Sequence, residues 1–411
     1  MIRLIPCLLL LLAAPSYAQS TNEVFAATRD ALVQVRIIDI ASGAKGAIGS
    51  GFVAHPDGRI VSNYHVISEL LQHPGRYQAE WLAPDGSAGP LELLDIDIAH
   101  DLAVLRAPGR KPPTALALQT KLPKKGQRVY SIGNPYDLGP TIVEGTFNGL
   151  IEKSLYRRVH LTASINPGMS GGPAVLPDGS VVGVNVASAG EQIGFLVESE
   201  WVALLIARNA KQPLKKFKAE INRQLDANQR GIFTRLKRYG FKSAELGTYQ
   251  VPAAMGDEIS CWSFTDQAKK RVVDSTTLNC QAEGDVFVSS ALSTGSLRYS
   301  HSLRRARNIS NLRFWALNAR AIGFEWAFLS GGEDEVSNFV CRTDLVEHAK
   351  LKRKVRLCVR RYKNYPAIHD VVLRQISLND STRALASTLV MTGVGYQEGT
   401  RFAREFMEQT R

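Results

Sequence analysis

Three segments of this chain carry the residue types needed for hydrolysis through a serine acyl intermediate. Such chemistry requires a nucleophile, a base to deprotonate it, an acid to orient that base, and amide donors for the developing oxyanion. Ser170 is the nucleophile candidate, in the run Asn166-Pro167-Gly168-Met169-Ser170-Gly171-Gly172-Pro173. Its glycines let the backbone turn sharply and approach a substrate closely. They also allow the amides of Gly168 and Ser170 to converge as an oxyanion hole. The plain alternative is a Gly-Pro loop with an incidental serine. His65 is the base candidate, in Ile60-Val61-Ser62-Asn63-Tyr64-His65-Val66-Ile67, where an apolar hairpin is expected to deliver it at a strand end. A lone histidine is usually a satisfied surface or core residue. His55, His73, His100, His160, His301, His348 and His369 are read that way. Asp101 is the acid candidate, placed before the apolar strand 102–106, where a buried carboxylate can accept the imidazole N–H and hold its tautomer. Asp95 and Asp97 alternate with Ile96 and Ile98 and are expected on a solvated strand face.

Positioning these residues falls to a series of short strands. A short amphipathic helix is expected over 22–35. Strands are expected at 33–38, 51–54, 59–62, 102–106, 128–132, 141–145, 158–162, 174–176, 181–187 and 194–197. Turn signals separate them, among them Pro56-Asp57-Gly58, Pro84-Asp85-Gly86 and Pro177-Asp178-Gly179. Many short strands with regular turns argue for a barrel or sandwich rather than βαβ units. Past residue 198 the pattern changes. Helices are expected at 201–210 and 214–225, with the Lys-rich stretch 211–218 as a link, followed by a β-rich region from 234 and a closing helix at 400–409. The domain plan is a leader at 1–18, a domain at 19–205, a helical linker at 206–233, and a β-rich (α+β) domain at 234–411. The fold class is mostly β.

The leader, MIRLIPCLLLLLAAPSYA, has the three-part plan of a signal peptide cut after Ala18, which implies export to the periplasm or beyond. Its apolar run is shorter than the roughly 20 residues that span a bilayer, so no anchor is expected after its removal. Loss of Cys7 leaves Cys261, Cys280, Cys341 and Cys358. An even set in an exported chain reads as disulfides. Local pairs, Cys261 with Cys280 and Cys341 with Cys358, are preferred because each spacing suits a hairpin. Zinc is disfavoured by the lack of a C-x-x-C element. No metal or organic cofactor is implied.

The net charge of +12 is unevenly spread. Residues 1–200 hold 16 Lys and Arg against 18 Asp and Glu; the remainder holds 34 against 20. The densest basic run is 350–363, with eight Lys or Arg on an alternating strand, and Arg304, Arg305 and Arg307 form a second cluster. An anionic surface or polymer is one reading of that face; a solvated basic domain without a ligand is the other. Nucleic acid is not expected. Trp262, Trp315 and Trp326 are expected in the core of this domain.

The segments GSGFVAHPDGRIVSNYHVI, HDLAVLR, GQRVYSIGNPYDLGPTIVEGT, NPGMSGGPAV, GSVVGVNVAS and IGFLV resemble, in identity and order, the trypsin-like proteases of the HtrA (Deg) family. The resemblance covers about residues 25–205. It implies a chymotrypsin-like fold of two six-stranded β-barrels with a catalytic cleft between them. It also implies a serine endopeptidase acting on polypeptides, often in envelope protein quality control. It places the primary substrate pocket near Ser164, Ile165, Asn185, Val186, Ala187, Gly194 and Phe195. No acidic residue lies in those segments, so a small or medium aliphatic residue before the cut bond is expected over Lys or Arg. The chain departs from the family in Met169, where Asn is usual. It also lacks a recognisable PDZ domain after 205 and an activation-cleavage motif. A catalytically silent scaffold whose basic domain binds an anionic partner is the competing reading. A different serine hydrolase such as an esterase is disfavoured by the missing α/β alternation and nucleophile elbow.

Overall fold

The computed structural model describes residues 20–188, 190, 192–266, 272–323 and 329–411. The leader and Trp326 lie outside the described residues. The chain forms three main antiparallel sheets. The first has seven strands in the order Ala88–Pro90, Tyr77–Leu82, Leu32–Asp39, Lys45–Val53, Ile60–Ser62, Leu102–Arg106 and Glu92–Asp97. The second is a closed barrel of six: Val159–Thr162, Gly194–Glu198, Val181–Ser188, Pro173–Val175, Arg128–Gly133 and Thr141–Leu150.

The second sheet is a closed barrel and the first, whose two edge strands do not pair, a half-barrel, in keeping with the expected chymotrypsin-like double β-barrel. The two edge strands of the first sheet run into each other through Leu91. Covalent chain rather than a ladder joins its ends, and Pro90 has no N–H to extend one.

Several local expectations also change. The first helix is Thr21–Thr28, followed by a 3₁₀ turn at Arg29–Ala31. Residues 32–35 belong instead to the strand Leu32–Asp39, where Val33, Val35 and Ile37 are buried. The helix expected at 214–225 runs from Phe217 to Tyr239. Its inner face (Ile221, Leu225, Ile232, Phe233, Leu236) has the three- and four-residue spacing of a core-facing helix. It does not dangle as a tether. The Gln224 amide donates to the Ile96 carbonyl (2.8 Å) and accepts from the Ile98 amide (2.9 Å), and Phe233 packs on Phe402 of the last helix.

The third sheet has seven strands in the order Ile259–Asp266, Val273–Ala282, Leu297–Ala306, Arg383–Val394, His369–Ser377, Leu351–Arg361 and Val340–His348. Each disulfide joins directly opposed residues of an edge pair, Cys261 to Cys280 and Cys341 to Cys358. The helix Tyr396–Gln409 covers one face through Phe402, Ala403 and Phe406. Core placement of the tryptophans is corrected: Trp262 is 45% exposed on an edge strand and Trp315 is half-buried.

The basic run also behaves differently from a single charged face. Leu351, Arg353 and Val355 alternate inward while Lys352 and Lys354 point to solvent. Arg353 is fully buried and donates to the Met407 and Thr410 carbonyls at the end of the last helix (2.7 and 2.9 Å). Arg360 pairs with the buried Asp370 at 2.6 Å. Two of the run's cations are thus structural. Arg304 and Arg307 are similarly engaged, by Asn318 and Asp274. Among the described residues no helix is long and apolar enough to cross a membrane.

Candidate active site

His65 lies in the first turn of a helix, Tyr64–Gln72, rather than at a strand end. Val66, Ile67 and Leu71 bury one face of that helix against the first sheet. The first amides of a helix have no partner within it. Asp101 supplies partners from across the sheet. Its carbonyl accepts from the Tyr64 amide (3.2 Å) and from the Asn63 side chain (2.8 Å). Its carboxylate accepts from the His65 amide (2.8 Å) and, through Oδ2, from His65 Nδ1 (2.6 Å). One buried aspartate therefore caps the helix and orients the imidazole. The positive end of the helix dipole favours the carboxylate there. Asp101 holds φ at 58°, a left-handed conformation that Asp tolerates better than most residues.

Burial of the imidazole opposes its charging. The charge and hydrogen bond of Asp101 together outweigh that, while Arg158 works against them, and the net pKa is raised above 6.5.

Asp97, expected on a solvated face, is buried. It accepts from His100 Nδ1 at 3.0 Å and pairs with Arg208 at 3.4 Å. His100 in turn stacks on Trp201. Asp95 is half-buried near Arg208. Both carboxylates face groups contributed by the helix Ser199–Ala207 and its end, which the local strand pattern does not reveal.

The loop that carries Ser170 is held from two sides. Ser50 donates its hydroxyl to the Gly168 carbonyl and its amide to the Ser170 carbonyl, each at 2.7 Å. Asn185 is fully buried. Its backbone exchanges hydrogen bonds with Gly171 and Gly172, and its amide donates to the Ile132 carbonyl at 3.0 Å. Gly168 has φ +97°, and a Cβ there would lie 2.3 Å from the Asn134 carbonyl oxygen, so the position excludes any side chain. Among the described residues the amides of Gly168 and Ser170 make no hydrogen bond. Ser170 Oγ donates to the Val186 carbonyl at 3.4 Å, and no hydrogen bond joins it to His65. Val186 sits at a register shift between Asn185 and Ala187, a bulge that frees that carbonyl from the ladder.

Met169 points away from this surface. Its side chain is fully buried among Val129, Phe147, Ala174 and Leu196 of the closed barrel. Met169→Asn, which installs the residue usual in HtrA proteases, is expected to destabilise the protein by about 1–3 kcal/mol, because the amide enters an apolar core. A urea melt showing no loss would contradict that.

A cleft of about 1050 Å³ opens beside His65 and Asp101. Of the residues expected around the primary pocket, Val186, Ala187 and Phe195 line it. Asn185 braces the loop from the interior. Gly194 packs on Ile165, Ile165 is buried in the barrel core, and Ser164 is exposed outside the cleft lining. The lining also includes a segment with no role in the sequence reading, Glu283 to Phe287 of the C-terminal region. Ser50 was likewise missed as a brace, although its Gly-Ser-Gly context is a visible signal of close backbone approach.

A closed six-stranded barrel faces a half-barrel, and His65, Asp101 and Ser170 lie at their junction. Residues 49–184 match the trypsin-like peptidase domain family. The N-terminal half is homologous to HtrA/DegP serine proteases. Human serine protease HTRA3 is 29% identical over 180 residues, 41% of this chain and 40% of the relative. A probable periplasmic serine endoprotease, DegP-like, from Chlamydia pneumoniae is 31% identical over 153 residues, 36% of this chain and 30% of the relative. The chain thus spans well under half the length of these curated relatives. A serine endoprotease structure from Yersinia pestis, 28% identical, covers 46% of this chain and 66% of its own, with a TM-score of 0.41.

Proposed function

We propose that this protein is an exported serine endopeptidase in which Ser170 attacks the peptide carbonyl, His65 takes its proton, and Asp101 orients and stabilises the imidazolium. The observation that carries the proposal is the 2.6 Å His65–Asp101 contact beside a serine loop with two unpaired amides. In this reading Ser170 Oγ turns from the Val186 carbonyl toward His65 when substrate enters, since such contacts often tighten only in the bound complex. The Gly168 and Ser170 amides stabilise the oxyanion. Such donors are worth about 100- to 1,000-fold in rate each. His65 then returns the proton to the leaving amine as the C–N bond breaks; a water attacks the acyl-enzyme while His65 takes its proton, and that proton passes to Ser170 Oγ as the ester bond breaks.

Val186, Ala187, Ile193 and Phe195 give the cleft apolar walls, which favours small or medium aliphatic residues before the cut bond. Export is supported by the two disulfides and by the name of the Chlamydia relative. Quality control of envelope proteins is the biological role proposed. The exposed Lys350, Lys352, Lys354, Arg361 and Lys363 of the basic run, with Arg305 of the second cluster, support contact with an anionic surface or polymer.

A fluorophosphonate probe should label the wild-type protein. Ser170→Ala should abolish both the label and casein cleavage. Labelling that survives the substitution would refute Ser170 as nucleophile, and labelled protein unable to cleave any unfolded chain would favour the silent-scaffold reading.

A further inference from the structure

The C-terminal region reaches the cleft through the strand Val286–Ser289. Side chains alternate along a strand. Val286 and Val288 are buried in the central core; Phe287 between them is half-buried, packs against the edge of that core and, like Val286, lines the cleft. Its ring stands edge-on to the His65 imidazole, with centroids 6.0 Å apart and planes at 73°. It also meets Tyr64 edge-on, at 6.4 Å. The strand is anchored on the helix that carries His65. The buried Tyr64 hydroxyl donates to the Val288 carbonyl at 2.8 Å, Gln72 donates to the same carbonyl at 3.1 Å, and Ser290 donates to Glu69 at 3.2 Å. On the barrel side the Leu155 amide donates to the Glu283 carbonyl (3.2 Å) and the Tyr156 hydroxyl to the Gly295 carbonyl (3.0 Å). The wall is therefore tied to both halves of the peptidase region, not loosely apposed to one.

The volume of about 1050 Å³ is at or above the roughly 300–1,000 Å³ of drug-sized ligand pockets, so the cleft has room for more than one substrate side chain. Ile98, Val186 and Phe287 line it together with His65.

Resting on the peptidase reading above, we propose that Phe287 is a specificity-determining residue. The C-terminal β region supplies one wall of the substrate cleft, and that wall selects unfolded polypeptide segments presenting a large apolar side chain beside the imidazole. A half-buried aromatic neighbour rewards such a side chain and gains nothing from glycine. One methylene in an apolar pocket already discriminates about tenfold or more.

The test is a fluorogenic peptide series varied one position at a time on either side of the cut bond, cleaved by wild type, Phe287→Ala and Phe287→Leu. Wild type should prefer Leu or Phe over Gly at one position. That ratio of kcat/KM should fall about tenfold or more in Phe287→Ala. If the alanine variant fails to take the fluorophosphonate label, the leucine variant carries the comparison and should show a smaller fall at the same position. Normal labelling with an unchanged ratio, or a fall spread evenly over all positions, would overturn this inference alone. Wild-type protein that never labels would overturn the peptidase reading and this inference with it.

Discussion

Asp101→Asn should lower kcat by about 10⁴-fold while leaving the protein folded. The carboxylate accepts twice from His65, from the backbone amide at 2.8 Å and from Nδ1 at 2.6 Å. An asparagine has one acceptor oxygen in place of two. If that oxygen stays with the helix amide, the new NH₂ faces Nδ1 and forces the proton onto Nε2. The imidazole then presents a donor where Ser170 needs an acceptor. The backbone contacts of Asp101 to Tyr64 and Asn63 survive, so the loop and helix should hold.

The pH profile gives an independent reading. His65 acts as base only when neutral, so the rate rises as pH climbs through its pKa. Asp101 holds that pKa above 6.5, and the wild-type midpoint should lie on that side. The asparagine variant removes the charge, so its residual activity should rise at lower pH than wild type. Steady-state kinetics on one peptide from acid to mildly alkaline pH checks both points. A loss below tenfold, or an unmoved midpoint, would remove Asp101 from the proposed role.

The second large effect is on stability. Asp370→Ala should destabilise the protein by about 3–5 kcal/mol, the usual result of removing one partner of a buried ion pair. Asp370 is completely buried and accepts from Arg360 Nε (2.6 Å), the Tyr362 hydroxyl (2.6 Å) and the Gly393 amide (3.2 Å). Alanine would leave a buried guanidinium without its counter-charge and two further donors with one partner fewer. Burial raises the Asp370 pKa against the pull of Arg360, which is the cost the pair already bears. A double variant, Arg360→Met with Asp370→Leu, should recover most of the loss, because replacing both charges removes the desolvation cost as well as the attraction. Urea denaturation followed by tryptophan fluorescence measures both. A single variant within about 1 kcal/mol of wild type would mean that water reaches Arg360.

Much of the strand layout was legible from local pattern. Leu102–Arg106 has the bounds read from the sequence, and Arg128–Gly133 and Val181–Ser188 each run one residue past theirs. Alternation and turn residues mark such strands without tertiary information. The helix Tyr64–Gln72 was not legible, because a short apolar run such as Val66-Ile67-Ser68-Glu69-Leu70-Leu71 fits a buried strand as well as a helix. The helix won because Asp101, from the turn that precedes the strand Leu102–Arg106, caps its first turn. Asp97 looked solvated by alternation alone; His100, Trp201 and Arg208 cover it from elsewhere in the fold. Arg353 and Arg360 looked like a basic surface for the same reason. A charge pattern along one strand does not reveal which carboxylate or helix end comes to meet it.

The sequence by itself picked out the three residues proposed to act together and the glycine-rich loop that carries Ser170, and it favoured the local pairing among the three that four cysteines allow. Each depends on neighbours within a few residues or on hairpin spacing. Tertiary structure alone decided how His65 is held, which way Met169 points, and that Phe287 stands 6.0 Å from the imidazole. Those outcomes join residues up to more than 200 positions apart. The first two follow from packing within the peptidase region, and the third from docking of the C-terminal strand on the helix that carries His65; no local propensity encodes such contacts.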